Sequence, residues 1–441
     1  MSKKTENYVG YLPDESPSFG KLILFAFQQI LVMFPATVTV ALLTGFHVST
    51  TIFASGFATL CFIFITKRKI PLYYGSSFSY ISAICGITLA EYGVIAPDEL
   101  IAKAQFGIIA SGLVSIVAGV IISKFGQKTI EKILPPTVTG TIAMVIGLSL
   151  AGVAFTSAVG YDAVTNTSNN LAWLVSMVTL VSTVLFSVYL KKGVLGQIPI
   201  LLGIAVGYVF SLIVGIQIPE IIGDQLFALP HFTLPIVSWE AVLAVMPIAI
   251  ATIPESTAHL YQLDIYVNDL SKKKGGKKYE IENKLGLNLI GDGICDMISA
   301  SVGGPAGTNY GENLSTMAIT RNFSIKVLGA AAVITMFISF FTPLTNFVNS
   351  VPSPVINGAC IYLFGVIAAQ GLAIMVNKEV DFFDSRNLAI IAIIAIIGIG
   401  GTYAFPNGLI PFMGFQLPAI ATASIFGIIF NLILNFGKTS E

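Results

Sequence analysis

Long apolar stretches separated by short polar segments run along the whole chain. Each stretch is close to the roughly 20 residues that a helix needs to cross a hydrocarbon core about 30 Å thick. We count fourteen of them, near 21–45, 49–66, 70–90, 104–123, 133–155, 171–190, 197–217, 241–262, 285–301, 307–320, 325–347, 355–377, 387–404 and 415–436. The pattern therefore predicts an all-α polytopic membrane protein.

Composition supports a lipid environment. Of the 441 residues, 55% are hydrophobic and only 10% are charged, whereas a soluble domain carries about 25% charged residues. The net charge of zero does not favour a nucleic-acid partner. Residues 1–20 lack the apolar region of a signal peptide and are expected to form a cytoplasmic tail. The four cysteines have no CxxC spacing, so we do not expect them to form a metal site or a disulfide framework.

The positions of lysine and arginine test the span count, because basic residues stay on the cytoplasmic side of short loops. With the N-terminus inside, fourteen spans place every Lys and Arg except Lys103 on the cytoplasmic face. The C-terminus is then cytoplasmic as well. The basic segment 272–284 is interpreted as a topological anchor beside anionic lipid, with a regulatory site as the alternative.

Two pairs of short motifs indicate an internal repeat. YGSSFS at 74–79 in span three resembles YGENLS at 310–315 in span ten, and PTVTG at 136–140 in span five resembles PVING at 354–358 in span twelve. Both pairs are shifted by seven spans. Because seven is odd, the two halves, 21–217 and 241–436, should cross the membrane in opposite orientations, as in inverted-repeat transporters.

The repeated hexapeptides lie in segments rich in Gly, Pro, Ser and Thr, unlike a continuous span. Interrupted helices near the midplane form the substrate site in inverted-repeat transporters. We therefore expect spans three and ten each to contain a short extended β segment leading into a half-helix. The amides at the start of such a half-helix can meet ligand carbonyls or carboxylates. The alternative is a small-residue face for close helix packing.

Few acidic residues fall within the spans, where an ionised acid costs several kcal/mol unless it lines a binding site or a path for water. Glu255 in span eight precedes His259 by four residues, which places both side chains on one helical face. A carboxyl–imidazole pair can exchange protons near neutral pH, so it is a candidate proton site. The alternative is a buried Glu–His bond that fixes one helix. Glu312 lies within the second hexapeptide.

Asp292 and Asp296 in span nine are one helical turn apart. A direct role in transport and a structural role both stay open for these acids. Since Asp292 is followed by Gly293, we expect that this dipeptide interrupts span nine or caps an adjoining helix.

The segments FQQILVMFPATVTVALLTG, YGSSFSYIS, IPESTAHL and GGPAGTNYGENLSTMAITR resemble the nucleobase–ascorbate transporter family, and especially its bacterial uracil permeases. The likeness runs from near Asp14 through span fourteen. It implies a core domain of 21–123 plus 241–347 and a gate domain of 133–217 plus 355–436. It also implies a multi-pass protein of the cell membrane that imports uracil with a proton, without a further cofactor, and that can form a homodimer.

The resemblance also implies roles for individual residues. Glu255 and Glu312 would hold the base, and the backbone amides of Phe78 and Gly311 would meet its carbonyls. His259, beside Glu255, would assist proton coupling. Four further residues would line the pocket: Ala36, Ser77, Tyr310 and Phe364.

The chain departs from the family pattern at two positions. Ser315 stands where glycine is usual, and Gln29 stands where many members have a histidine, so position 29 cannot titrate here. Glutamate at 312 favours a pyrimidine over a xanthine. A xanthine or other purine symporter remains one alternative. An anion exchanger of the same architecture is another, although no basic residue precedes Arg321 near the half-helices. Neither HExxH nor GxSxG occurs, so an enzyme is not expected.

Overall fold

The structure, a computed structural model, describes residues 10–126, 134–160, 167–190, 195–216, 225–412 and 415–435. The helices of the first half are α1 (Phe19–Thr44), α2 (Val48–Ile65), α3 (Ile81–Thr88), α4 (Asp98–Phe125), α5 (Pro136–Ala158), α6 (Asn170–Tyr189) and α7 (Pro199–Ile213). The helices of the second half are α8 (Trp239–Val245), α9 (Ala249–Lys273), α10 (Leu285–Ser301), α11 (Gly311–Thr320), α12 (Ile325–Ile338), α13 (Thr342–Asn349), α14 (Ser353–Asn377), α15 (Ser385–Ala395), α16 (Gly401–Ala404) and α17 (Ala419–Leu434). Within these described ranges there are also four short strands: β1 (Tyr74–Ser76), β2 (Gly307–Asn309), β3 (Leu409–Phe412) and β4 (Phe415–Pro418).

Within the described residues, eight helical segments are long and apolar enough to cross a membrane. One of them, Trp239–Lys273, combines α8, a 3₁₀ turn and α9; another, Ser385–Ala404, combines α15, a π-helical turn and α16. Shorter apolar helices add to these. Large apolar side chains such as Leu24, Ile213 and Phe337 are exposed, as expected for surfaces that face lipid rather than water. The chain is a mostly helical, polytopic membrane protein.

The extended segments predicted in spans three and ten are present, and they meet. β1 and β2 pair antiparallel, with Tyr74 opposite Asn309, Gly75 opposite Thr308 and Ser76 opposite Gly307. Each strand leads into a short helix: a 3₁₀ turn and α3 after β1, and α11 after β2. A Cβ on Gly75 would lie 2.3 Å from the ring of Tyr310, so only glycine allows this close approach.

Helix packing follows the predicted shift of seven spans. α2 packs on α12 and α4 packs on α10. In the span count, α2 and α12 are spans two and eleven, and α4 and α10 are spans four and nine. A shift of seven converts span two into nine and span eleven into four, so the repeat relates one packed pair to the other. α5 packs on α14, the spans that carry the second pair of motifs. At the α4–α10 contact a Cβ on Gly112 would be 2.4 Å from the carbonyl oxygen of Gly293, so small residues bring the two backbones together.

The polar segments meet at two ends of the bundle. At one end, the Tyr11 amide donates to the carbonyl of Arg321 at 2.8 Å, and Lys274 forms a 2.6 Å ion pair with Glu15. The N-terminal segment therefore contacts the regions around Arg321 and Lys274, which the charge pattern predicts to lie on the same side of the membrane as the N-terminus. Loops predicted on the opposite side also meet, since His231 lies 2.8 Å from Asp98.

The expectation that Asp292-Gly293 interrupts span nine is wrong. α10 is continuous from Leu285 to Ser301. The Asp292 carboxylate accepts hydrogen bonds from Ser256 and Asn309. It is therefore not bonded to nearby backbone amides, an interaction that would disturb the helix. Gly293 lies inside the helix against α4, where its lack of a side chain allows the close contact.

Spans eleven and fourteen also differ from the predicted bounds. The helix of span eleven ends at Ile338 and a separate helix, α13, follows. Residues 415–418, predicted to open span fourteen, form β4, which pairs antiparallel with β3. Pro418 restricts Leu417 before it to extended conformations, and α17 begins directly after this proline.

Candidate functional site

A cavity of about 980 Å³ lies between two groups of elements. One wall comes from α1, from the start of the 3₁₀ turn after β1, from α9, and from β2 and α11. The opposite wall comes from α5, α7 and α14, with residues such as Thr139, Ile200 and Tyr362. The volume is at the upper end of the range for small-molecule pockets, about 300–1,000 Å³.

Span eight brings two of the predicted residues to this cavity. Glu255 and His259 both line it, and residues four apart lie on one face of a helix such as α9. Pro254 lies inside the helix directly before Glu255. Because proline has no amide hydrogen, the helix loses one backbone hydrogen bond at this point, next to the cavity.

Glu312, the second residue of α11, is exposed and lines the same cavity. Glu255 and Glu312 thus present two carboxyl groups to one cavity. Tyr310 precedes the helix and makes no capping hydrogen bond with its side chain, so the positive end of α11 faces this region.

Gly311 lets His259 approach the start of α11. A Cβ on Gly311 would lie 2.7 Å from Nε2 of His259. His259 also hydrogen-bonds the backbone of Asn309. Its Nδ1 is buried and has no partner within the described part of the chain, so this nitrogen keeps an unused position for a proton.

The aromatic residues divide between the cavity wall and the layer behind it. Phe78 begins the 3₁₀ turn and lines the cavity. Phe364 on α14 is buried and packs edge-on against Phe78, with ring centroids 6.2 Å apart, but is not among the lining residues. Ser77 is also buried, and its hydroxyl accepts the Ser79 amide at 3.3 Å. Ser76 and Ser79 line the cavity instead of Ser77.

Tyr310 and Ala36 both line the cavity. The Tyr310 hydroxyl donates to the Ser76 carbonyl at 3.0 Å and is hydrogen-bonded to the Thr37 hydroxyl at 2.9 Å. These bonds tie β1, α1 and the start of α11 into one unit.

The aspartates of span nine lie behind the two strands, away from the large cavity. Asp292 accepts from Ser256 and, at 2.6 Å, from the side-chain amide of Asn309. Asp296 accepts from the Tyr74 hydroxyl at 2.5 Å and from the Gly307 amide at 2.8 Å. Between the two acids is a small cavity of about 10 Å³, about the space for one water molecule. The aspartates thus connect α10 to both strands and to span eight.

Sequence reasoning missed the role of Gln29. The amide of Asn313 donates to the side-chain oxygen of Gln29 at 2.8 Å and to its backbone carbonyl at 2.9 Å. Gln29 therefore holds α11 against α1, a task for which a neutral amide suffices. Ser315, at the other position that departs from the family pattern, is exposed and lines the cavity.

Comparison with known proteins agrees with this architecture. The chain is 38% identical over 429 residues to a uracil permease of Bacillus caldolyticus, covering 95% of this chain and 93% of the relative. It is 35% identical over 454 residues to a uracil permease of Bacillus subtilis, covering 100% and 98%. Its fold is similar to the transmembrane domain of a cyanobacterial bicarbonate transporter, BicA, with a TM-score of 0.61, 14% identity, and 94% and 97% of the chains covered.

A permease family model, that of the xanthine and uracil permeases, matches residues 20–407. The match covers most of the chain and includes every residue of the candidate site. The protein is a transporter rather than an enzyme, as the absence of hydrolase and protease motifs predicted. The chain therefore belongs to the xanthine/uracil permease family.

Proposed function

We propose that this permease imports uracil together with a proton across the cytoplasmic membrane. The observation that carries the proposal is the meeting of Glu255 and Glu312 in one cavity, beside the amide end of α11 and the ring of Phe78. The relatives named uracil permease, at 38% and 35% identity over nearly the whole chain, support the same substrate.

The chemistry of uracil matches these groups. The base is flat and offers two N–H donors and two carbonyl acceptors. Glu255 and Glu312 can accept from the N–H groups, while the amides of Gly311 and Phe78 can donate to the carbonyls. A ligand that lacks one of these partners leaves a buried polar group unpaired, at a cost of about 1–3 kcal/mol. The ring of Phe78 offers an aromatic surface to the base.

Glu255 and His259 are the proposed proton carriers. They share one face of α9 and both reach the cavity. We assign the transported proton to these two residues, so that a proton that binds one of them changes how the pair meets the base. Protonation and uracil binding would then be linked at the same place.

Alternating access would come from relative movement of two domains. We assign residues 21–123 and 241–347, which hold most of α1–α4 and α8–α13, to a core domain, and residues 133–217 and 355–436 to a gate domain. The cavity has residues of both groups on its walls, which is where a rocking movement would open one side and close the other. We further propose two cytoplasmic termini and a homodimer.

Uptake into proteoliposomes tests the transport activity. An acidic exterior should drive radiolabelled uracil above its external concentration, and a protonophore should abolish this accumulation. The Glu255→Gln/Glu312→Gln double variant serves as the control for leakage. Indifference to the protonophore would contradict proton coupling. Stronger competition by unlabelled xanthine than by unlabelled uracil would assign the site to a purine instead.

Anion exchange is disfavoured by the charges at the site. The similarity to BicA concerns the fold. The candidate cavity instead holds two carboxyl groups, that of Glu255 on α9 and that of Glu312 at the start of α11. Ionised carboxylates that line a cavity repel an anion that enters it. Replacing internal chloride or bicarbonate with gluconate should therefore leave uracil uptake unchanged.

A further inference from the structure

Three side chains with metal-binding atoms meet at the end of the bundle opposite the N-terminal segment. They are His47, Asp98 and His231, and their ligand atoms all lie within 4.8 Å of one another. Nε2 of His231 is 2.8 Å from one Asp98 carboxylate oxygen, and Nε2 of His47 is 3.7 Å from the other. The two imidazole rings are 4.4 Å apart. None of these residues lines the transport cavity.

Each ligand comes from a different part of the chain. His47 lies in the short turn between α1 and α2, and Asp98 is the first residue of α4. His231 lies in the segment 225–238, which joins the two halves of the molecule. The carbonyl of His231 accepts the Thr50 hydroxyl at 2.6 Å, so its backbone is fixed against α2.

Further hydrogen bonds hold the connecting segment against α4. The Gln105 side chain donates to the Thr233 carbonyl at 2.9 Å and accepts from the Thr233 hydroxyl at 2.9 Å. The Ile236 amide donates to the carbonyl of Ala102 at 3.0 Å. The backbones that carry the three side chains are thus already in place, and side-chain rotation alone can adjust the ligand atoms.

One ring nitrogen of His47 lacks a hydrogen bond. Its Nε2 is buried and lacks a hydrogen-bond partner among the described residues, although it points toward Asp98. An imidazole nitrogen that no hydrogen bond occupies can use its lone pair to bind a metal ion.

We propose that His47, Asp98 and His231 bind one divalent first-row transition-metal ion, of which Zn²⁺ is the best match. Two imidazoles and one carboxylate, with water as the fourth ligand, form a common tetrahedral zinc set. Bonds of about 2.0–2.2 Å place such ligand atoms roughly 3.4 Å apart. The observed separations between ligand atoms differ from this value by no more than about 1.5 Å. Asp98 and His231 are about half exposed, so their side chains can adjust.

The bound ion would link the segment 225–238 to the first residues of α2 and α4, in addition to the hydrogen bonds already present. Because the ion binds only the folded arrangement, it should raise the unfolding temperature of the whole chain.

Metal binding to the purified full-length chain, with any affinity tag removed, tests the proposal. Zn²⁺ is titrated calorimetrically, and bound zinc is counted by elemental analysis after dialysis. Four single variants are compared: His47→Gln, Asp98→Asn, His231→Gln and the control Glu99→Gln. Glu99 is the neighbouring acid, and it pairs with Lys103 at 2.6 Å outside the cluster. Size-exclusion chromatography checks that each variant is folded, and Mg²⁺, which prefers oxygen ligands, is the control ion.

We expect one zinc per wild-type chain and a rise in unfolding temperature with Zn²⁺ but not with Mg²⁺. Each ligand variant should bind zinc at least about tenfold more weakly, whereas Glu99→Gln should bind it like the wild type. The proposal is overturned if the folded His47→Gln/His231→Gln double variant binds zinc as tightly as the wild type. Equal affinity in Asp98→Asn and Glu99→Gln would overturn the three-ligand site as well.

Discussion

Replacing Glu312 with glutamine tests the proposed contact between acid and base. The carboxylate accepts hydrogen bonds at both oxygens, whereas the amide exchanges one acceptor for a donor that would face an N–H of uracil. A hydrogen bond to a charged group contributes about 1.5–3 kcal/mol. Its loss corresponds to a roughly 10- to 150-fold weaker affinity, and the opposed N–H groups should weaken binding further.

The structure allows this change to be separated from damage to the fold. Glu312 is exposed to the cavity, and glutamine has nearly the same shape. Glu240 is the matched control, since it is also an acid in the first turn of a helix, α8, and is exposed, but does not line the cavity. Calorimetric titration of the purified proteins with uracil should show the loss in Glu312→Gln and wild-type affinity in Glu240→Gln. Wild-type affinity in both variants would refute the assignment.

Three further variants test other parts of the site. His259→Ala should reduce proton-driven accumulation more than equilibrium uracil binding, because the imidazole is assigned to coupling; equal losses in both assays would argue against that role. Gly311→Ala should weaken uracil binding, since the new Cβ would lie 2.7 Å from Nε2 of His259; titration of the variant beside Ser315→Ala, which adds no such contact, checks this. Tyr74→Phe removes a donor to buried Asp296 and should cost about 1–3 kcal/mol of stability, seen as a lower unfolding temperature, whereas an unchanged temperature would show that Asp296 finds another donor.

The arrangement of elements follows from the pattern of apolar and basic positions. Motif pairs seven spans apart predicted that spans three and ten correspond, and β1 and β2 do pair with each other. The ends of the helices depend on local contacts, and the apolar pattern predicts them less well than it predicts the order of the spans. The pairing of β3 with β4 depends on a contact between neighbouring segments around Pro411 and Pro418, which apolar periodicity does not encode.

The candidate site was predictable where helical spacing or a repeated motif points to it. Glu255 and His259 both reach the cavity from one helix, four residues apart. Glu312 reaches it because its hexapeptide begins a half-helix. Contacts between distant segments could not be deduced in the same way. The bond between Gln29 and Asn313 joins residues 284 positions apart, and only the folded chain reveals it.

The most direct test of the central claim is an experimental structure of the protein with uracil bound. The account predicts the base in the cavity between the two domains, with its N–H groups about 2.7–3.2 Å from carboxylate oxygens of both Glu255 and Glu312 and its ring against Phe78. Uracil density away from both glutamates, or coordinates that turn either carboxyl group toward lipid, would contradict it.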